Sequence, residues 1–302
     1  MKQCGQKILI YGAGVIGSFY AVKLLACGCD VTVLARGSRL KGLQEKGLLY
    51  DEDGIKEARV RVVPEITDRD RFDYIFLTVR AEQVTAALED LRRKNGGTIV
   101  TMINTLEEYR NWEKVAGKGR ILPAFPGAGG SIENGILKAG LTPAIIQPTT
   151  FGEINGKKTE RLKLLKKIFK AAKIPVQIVP DMHIWQICHL AMVVPLADAY
   201  YQTKKEPERV AWDKDTMKIT AKRLKRNFNL LRQKGIRLSP KKMNLICFLP
   251  VPLLTWILEH VYKSGFGNIF IYRHAMKAKE EMRLLHRDFY QYLKAHERKI
   301  LI

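Results

Sequence analysis

The chain has 302 residues, of which 46% are hydrophobic and 27% charged, and 52 Lys and Arg against 30 Asp and Glu give a formal net charge of +22. The length allows one large or two ordinary domains, and the apolar fraction excludes a disordered basic tail. Residues 1–150 carry a net +4 (21 basic, 17 acidic), whereas residues 151–302 carry a net +18 (31 basic, 13 acidic). The basic half therefore has to face an anionic partner or only water.

Several classes of protein are disfavoured by the sequence. The residues after Met1 contain neither the long apolar stretch nor the cleavage site of a secretory signal. We therefore expect a cytoplasmic protein. Five cysteines without CxxC spacing predict reduced thiols and no metal site. The most apolar stretch, 243–262, contains two prolines, Glu259 and His260, which is too polar for a membrane span and predicts a buried or interfacial segment.

Apolar runs alternate with helical patterns in the first half. Residues 7–11 (KILIY) predict a strand, and the stretch that follows is helical to Ala26. This alternation predicts an α/β fold, with a Rossmann-type doubly wound parallel sheet in residues 1–180 and an all-helical second domain in residues 181–302. The other predicted elements are strands over 31–35, 59–63, 74–79, 98–103 and 121–125 and a helix over 82–93.

Glycines with dinucleotide-binding spacing lie at the first strand-to-helix junction. They allow a tight turn, a close approach of the backbone to a pyrophosphate, and close packing of helix on strand. The helix N-terminus then offers free N–H groups to the phosphates. A glycine-rich turn in another α/β protein is the alternative. The predicted cofactor-binding residues of this loop are Gly12, Gly14, Val15, Ile16 and Gly17.

The end of the second predicted strand indicates which dinucleotide is bound. Sites for NAD place an Asp or Glu about 20 residues after the glycines, where it binds the ribose 2′-hydroxyl. This chain has Arg36 there, followed by Ser38 and Arg39. A guanidinium pairs with a 2′-phosphate, and a hydroxyl adds a hydrogen bond. These residues predict NADP(H) as the cofactor, the alternative being that Arg36 is only a solvated loop charge.

The segments KILIYGAGVIGSFYAVKL, VTVLAR, LTVRAEQV, IENGIL and IWQICHLAMVVPLADAYY together resemble the ketopantoate reductase (2-dehydropantoate 2-reductase) family. The resemblance covers most of the chain and weakens after residue 200. It implies a dinucleotide-binding domain, a helical domain, and reduction of a 2-keto acid by NADPH as a step of pantothenate biosynthesis. Another NADP-linked dehydrogenase with a helical second domain, such as the 6-phosphogluconate type, is the competing interpretation.

The resemblance implies three further site residues. Arg80 stands where the family has a lysine that contacts cofactor and substrate, so the charge is kept but not the shape. Asn104 stands at the Asn of the family's Asn-Gly pair, and Thr105 replaces the glycine. An ungapped count places Glu281 at the family's substrate-binding glutamate.

The predicted helix that begins the second domain departs from the family pattern. With Pro195 as the anchor, Gln186 occupies the position of the family's lysine, and Leu190 and Val194 occupy those of two asparagines. Reduction of a ketone needs a proton for the nascent alkoxide, and a glutamine has none to give at neutral pH. His189 lies three residues after Gln186 on the same helix face, so we hypothesise that His189 is the acid. A packed helix residue is the alternative.

Two functions therefore remain open from the sequence. The first is an NADPH-dependent reductase of a 2-keto acid, and the second is a catalytically lapsed homologue that binds NADP(H) as a sensor or interaction protein. The expected partner is a small anionic substrate, and a homodimer is compatible with the sequence. Two basic helical segments, 161–170 and 218–237, are interpreted as solvated faces, so neither nucleic acid nor a membrane is expected as a partner.

Overall fold

The computed structural model describes residues 5–94, 96–277 and 279–295. The chain divides into two compact units, Met1–Met182 and His183–Ile302. All strands of the described residues belong to the first unit. In chain order they are β1 (Lys7–Tyr11), β2 (Asp30–Leu34), β3 (Leu48–Asp51), β4 (Ile55–Ala58), β5 (Arg61–Val63), β6 (Tyr74–Leu77), β7 (Thr98–Met102), β8 (Ile121–Phe125), β9 (Ala128–Glu133), β10 (Ile136–Leu141), β11 (Thr149–Phe151) and β12 (Val176–Ile178).

Helices follow half of the strands and make up nearly all of the second unit. Short 3-10 turns precede several of them, and a π-helical segment covers Gly267–Tyr272. The α-helices are α1 (Val15–Ala26), α2 (Gly37–Lys46), α3 (Val84–Arg92), α4 (Tyr109–Ala116), α5 (Glu160–Ala171), α6 (Met182–Gln202), α7 (Lys214–Gln233), α8 (Asn244–Phe248), α9 (Val251–Lys263), α10 (Arg273–Lys277) and α11 (Lys279–Ala295).

The main sheet has the strand order β12-β11-β8-β7-β6-β1-β2-β5. Six neighbouring strands, from β8 to β5, are parallel, and β11 pairs antiparallel with β8. The central strands are buried along nearly their whole length, as expected for a parallel sheet covered on both faces. The predicted α/β fold class is thereby confirmed, and the predicted strands are found with ends that differ by up to two residues.

A second, four-stranded sheet was not predicted. Its order is β4-β3-β10-β9, and it consists of two hairpins joined by a parallel contact between β3 and β10. The hairpin turns hold Asp53-Gly54 and Asn134-Gly135, and all four residues have positive φ angles. Asn-Gly and Asp-Gly are the residue pairs that such turns favour, because Asn, Asp and Gly tolerate the left-handed conformation best. The sequence thus contained the signal for both hairpins.

Aromatic rings fill the core of the first unit beneath the main sheet. Tyr20 of α1 stacks on Phe76 of β6 with ring centroids 6.0 Å apart, and Phe169 of α5 contacts both rings at 5.8 Å. The buried Tyr20 hydroxyl lies 2.6 Å from the Thr149 hydroxyl and accepts a hydrogen bond from the Gly127 amide. The one polar atom of this cluster is therefore satisfied, and burial raises the pKa of Tyr20 to about 12.

A buried ion pair holds α5 to the sheet. Arg161 Nε donates to Glu153 Oε1 at 2.8 Å, its Nη2 group donates to the Ile121 carbonyl, and Thr159 also donates to Glu153. Burial by itself raises the pKa of Glu153, but the hydrogen bonds from Arg161 and Thr159 outweigh it and leave that pKa below its ordinary value. The basic segment 161–170 was predicted as an outer face, which is wrong for Arg161.

The second unit is built on α6, whose residues are largely buried. Asp198 of α6 accepts a hydrogen bond from His286 Nδ1 of α11 at 2.9 Å, and Tyr262 of α9 donates to the Leu196 carbonyl at 2.6 Å. Burial raises the pKa of Asp198, although His286 opposes that shift. The described helices include none that is long and apolar enough to cross a membrane.

We expect Arg161→Ala to lower the free energy of unfolding by about 3 kcal/mol, because the Glu153 carboxylate stays buried without its charged partner. Urea denaturation at neutral pH measures this loss. Lys163→Ala is the matched control on α5, since it removes only the exposed ion pair with Glu160. The control should change stability by less than about 0.5 kcal/mol.

The same comparison at lower pH checks the sign of the effect. Because the folded-state pKa of Glu153 lies below its unfolded value of about 4.3, its contribution is fully present above that pH and is lost as pH falls through the folded value. The difference between wild type and Arg161→Ala should therefore shrink in acid. Equal losses in Arg161→Ala and Lys163→Ala would contradict the importance of the buried pair.

Candidate functional site

The main sheet reverses its strand order beside β1. The chain places β2 and β5 on one side of β1 and then β6, β7 and β8 on the other. Parallel α/β sheets bind ligands at the carboxyl ends of the strands next to such a reversal. The structure brings the residues predicted for the first unit to this edge, since they follow the ends of β1, β2, β6 and β7. They are the loop 12–17, Arg36 with Ser38 and Arg39, Arg80, and Asn104.

The glycine loop between β1 and α1 is held by close backbone contacts. Gly12 has a φ of +114°, and Thr78 Oγ1 donates to its carbonyl at 2.8 Å. A Cβ on Gly17 would lie 2.0 Å from the Gly12 carbonyl oxygen and 2.5 Å from Thr78 Oγ1. Both glycines are therefore required by packing inside the fold, as the spacing predicts.

Gly14 differs from the other two glycines because it faces open space. A Cβ built on Gly14 meets no atom within 4 Å, and the residue is exposed. Gly14 is also the N-cap of α1 and offers no side-chain acceptor to the N–H groups of the first turn, which begins with Val15 and Ile16. An open backbone surface beside unsatisfied N–H groups and the positive end of a helix suits a phosphate.

The Arg39 guanidinium donates hydrogen bonds to other residues of the first unit. Its Nε atom donates to the Ala13 carbonyl at 3.1 Å, its Nη2 atom donates to Ser18 Oγ at 3.1 Å, and its Nη1 atom reaches the Gly135 carbonyl at 3.4 Å. Burial lowers the pKa of Arg39. The residue was predicted to contact the cofactor, and its bonds identify it in addition as a positioning residue for the glycine loop.

Arg36 stands exposed at the start of α2, directly after β2, with Ser38 exposed beside it. Its Nη2 atom lies 3.5 Å from the Tyr11 hydroxyl, which in turn donates to Asp90 Oδ2 at 2.8 Å. Burial, followed by the hydrogen bond to Asp90, raises the pKa of Tyr11 to about 12. Tyr11 thus stays a neutral phenol that connects the Arg36 guanidinium to a carboxylate, and the sequence analysis missed both Tyr11 and Asp90.

Asn104 and Arg80 complete the edge of the sheet. Within the described residues, the Asn104 Oδ1 atom is buried and has no hydrogen-bond partner. A buried unsatisfied amide oxygen is costly, and such an atom is expected to meet a donor when a ligand is bound. Arg80 is exposed, and its backbone amide donates to Gln83 Oε1 at 3.2 Å.

The remaining predicted residues belong to the second unit. Gln186 is fully buried on α6, and His189 is nearly so, with its ring stacked on Trp185 at a centroid distance of 5.1 Å. Glu281 is half-buried in the first turn of α11. Across the part of the chain that the structure describes, no cluster of three or more His, Cys, Asp or Glu side chains is arranged to hold a metal ion.

Residues 8–153 match the family model described as ketopantoate reductase PanE/ApbA. Over this range the chain is similar to the ketopantoate reductase family. A 2-dehydropantoate 2-reductase of Mesorhizobium japonicum is 37% identical over 102 residues, which are 32% of this chain and 31% of that protein. The matches to curated relatives span between 31% and 56% of the relatives' own length. The resemblance predicted from the sequence is thereby confirmed.

Solved structures match nearly the whole chain at low identity. The 2-dehydropantoate 2-reductase of Porphyromonas gingivalis has a TM-score of 0.68 and 16% identity, over 96% of this chain and 99% of that one. A ternary structure of D-mandelate dehydrogenase with NADH and anilino(oxo)acetate has a TM-score of 0.65 and 16% identity, with coverage of 96% and 99%. At these identities the matches confirm the predicted Rossmann-type fold.

The two glycines Gly14 and Gly17 should respond in opposite ways to alanine. Gly17→Ala forces a Cβ against the Gly12 carbonyl and should cost more than about 2 kcal/mol of unfolding free energy. Gly14→Ala meets open space and should cost less than about 1 kcal/mol, while it weakens binding of a dinucleotide. Urea denaturation and titration of NADPH fluorescence measure the two effects, and a Gly14→Ala protein with unchanged dinucleotide affinity would contradict the phosphate site.

Proposed function

We propose that the chain is an NADPH-dependent reductase of a 2-keto acid, similar to 2-dehydropantoate 2-reductase. The observation that carries the proposal is the open backbone at Gly14, which lies at the N-terminus of α1 and beside the reversal of strand order. The family match of residues 8–153 includes this loop. A protein of similar fold has been solved with NADH and a 2-oxo acid derivative, which supports the same class of reaction.

The residues at the edge of the sheet fit a dinucleotide. The first-turn amides of α1 and the backbone at Gly14 would hold the pyrophosphate. Arg36 and Ser38 would bind the 2′-phosphate, and the unsatisfied Asn104 oxygen would accept a hydrogen bond from the bound cofactor or substrate. The bound nicotinamide supplies the hydride that reduces the carbonyl carbon. The arrangement favours NADPH over NADH, because Arg36 stands at the position where NAD sites have a carboxylate that binds the ribose 2′-hydroxyl.

The protein must also supply a proton to the alkoxide oxygen. His189 lies three residues after Gln186 on α6, and a positioned acid typically contributes about 10²–10⁴-fold. We propose His189 as that acid, with Gln186 as a hydrogen-bond donor to the same oxygen. Glu281 would accept a hydrogen bond from a hydroxyl of the substrate, and Arg80 would bind an anionic group of the cofactor or substrate. Leu190 and Val194 in place of two asparagines favour a bulkier, less hydroxylated substrate than ketopantoate.

A catalytically lapsed NADP(H)-binding homologue is the second candidate. Full burial of Gln186, at the position where the family has lysine, favours it. In this case the chain binds NADP(H) through the same loop and acts as a sensor or an interaction protein.

Arg36→Ala should weaken NADPH binding by about 10- to 100-fold, because a hydrogen-bonded charge pair with the 2′-phosphate is lost. NADH binding should change little, since NADH lacks that phosphate. Fluorescence titration of the full chain with each nucleotide measures the two affinities. Arg59→Ala is the matched control, because Arg59 is an exposed arginine of the same unit outside the sheet edge. Equal losses for NADPH and NADH would rule out recognition of the 2′-phosphate by Arg36.

Oxidation of NADPH with ketopantoate and with a panel of branched and aromatic 2-keto acids separates the two candidate functions. Turnover of any member supports the reductase and excludes the lapsed homologue. Binding of NADPH without turnover across the panel favours the lapsed homologue.

For the substrate that is turned over, His189→Asn should lower kcat by about 10²-fold or more and leave NADPH affinity unchanged. His260→Asn is the matched control, since His260 is an exposed histidine of the second unit on another helix, α9. In the variant, kcat should no longer fall at the pH where the acid group loses its proton. Unchanged turnover in His189→Asn would exclude His189 from proton transfer, without bearing on the cofactor site.

A further inference from the structure

Two consecutive helices of the second unit expose apolar side chains along one stretch of chain. Leu245 and Phe248 of α8 are 63% and 69% exposed, and Leu253 and Trp256 of α9 are 43% and 56% exposed. These four residues are called the α8–α9 face. Scattered exposed apolar residues are ordinary in proteins, whereas four within twelve residues are characteristic of a contact surface.

The surroundings of the face are strongly cationic. Residues 216–258 contain no Asp or Glu. The helix α7 packs against both α8 and α9, and Lys225 Nζ donates to the Leu249 carbonyl between those two helices. The ten basic residues of this segment are Lys218, Lys222, Arg223, Lys225, Arg226, Arg232, Lys234, Arg237, Lys241 and Lys242.

A shallow cavity of about 450 Å³ adjoins the face and is lined by Arg232, Arg237, Lys241 and Asn244, with apolar and backbone atoms of 235–238. All its charged lining residues are cations. It is called the basic cavity. The Arg232 guanidinium also lies over the Phe248 ring, 5.1 Å from the centroid, so the basic cavity and the α8–α9 face share this residue. The cations of the basic cavity and the exposed Phe248 ring are therefore contiguous.

We propose that the α8–α9 face docks on the surface of an anionic phospholipid membrane, with a lipid phosphate in the basic cavity and Leu245, Phe248, Leu253 and Trp256 at the boundary of the acyl chains. An interfacial segment is defined by this combination of Trp, Phe and Leu on one side and Lys and Arg beside them. The proposal goes beyond reductase activity and adds a peripheral attachment of the protein. It revises the expectation from sequence, which interpreted the basic helices as solvated faces.

Charge decides between lipid and a second copy of the chain. A symmetric contact of the α8–α9 face with itself would bring Arg232, Arg237 and Lys241 near the same cations of the other copy, and Glu259 is the only acidic residue from 216 to 279 that could pair with them. Anionic headgroups supply the missing negative charge.

The kind of exposed side chain decides between lipid and nucleic acid. Single-stranded nucleic acids are bound by aromatic platforms on which bases stack. Here the Arg232 guanidinium already lies over the Phe248 ring, and the Trp256 ring contacts His260 with centroids 4.2 Å apart. Leu245 and Leu253 offer no stacking surface, whereas all four apolar residues of the face partition into the acyl boundary.

Sedimentation of the full chain with vesicles tests the proposal. Vesicles of phosphatidylcholine with phosphatidylserine should bind the protein, and vesicles of phosphatidylcholine alone should bind it much more weakly. Phe248→Ser and Trp256→Ser should each weaken binding by about tenfold, because apolar burial is lost. Arg237→Ala and Lys241→Ala should each weaken it by about fivefold and reduce its dependence on salt.

Matched controls come from the first unit. Lys166→Ala and Lys167→Ala remove exposed cations from α5, and Ile55→Ser removes an apolar side chain that is as exposed as Leu245. Each should change vesicle binding by less than twofold. Urea denaturation and NADPH titration should be unchanged in every variant, and Leu253→Ser serves if Trp256→Ser unfolds.

Four results would overturn the proposal. The first is no binding to vesicles that contain phosphatidylserine, and the second is equal binding to phosphatidylcholine alone. The third is binding to single-stranded nucleic acid that is lost in Lys241→Ala but kept in Phe248→Ser. The fourth is self-association that Phe248→Ser abolishes while vesicle binding is absent, which would make a second copy the occupant of the face.

Discussion

The candidate cofactor site depends on the close approach of α1 to the ends of β1 and β6. The approach is possible because Gly17 has no side chain to strike the Gly12 carbonyl, and Thr78 fixes that carbonyl with a hydrogen bond. With the start of α1 so placed, its free amides point along the edge of the sheet where the strand order reverses. Of the three glycines in the motif, only Gly14 has free space where a side chain would stand.

Basic residues serve different purposes in the two structural units. In the first unit, Arg39 and Arg161 have identifiable partners at the glycine loop and at Glu153. The second unit holds an unbalanced run of cations beside exposed apolar groups. Most of the net charge of +22 belongs to residues 151–302, which carry +18.

The sequence predicted the fold class and the parallel strands because buried strands and a glycine motif are local patterns. It also contained the Asn134-Gly135 turn, which escaped notice because the flanking strands contain glycines. Side-chain pairing was out of reach, since the partner of Arg161 depends on how α5 docks, and helical spacing says nothing about that. For the same reason the motif could suggest Arg39 as a cofactor contact but could not show its bonds to Ala13 and Ser18.

Arg39 joins two parts of the chain that are far apart in sequence: the glycine loop with the start of α1, at Ala13 and Ser18, and the β9–β10 hairpin, at Gly135. Because these two parts share one side chain, the conformational rigidity of each depends on that of the other. Thermodynamic coupling follows, because a ligand that rigidifies the loop also stabilises the hairpin, and a loosened hairpin lowers the affinity of the loop. The second sheet is thereby linked to the binding of a ligand that the hairpin turn need not touch.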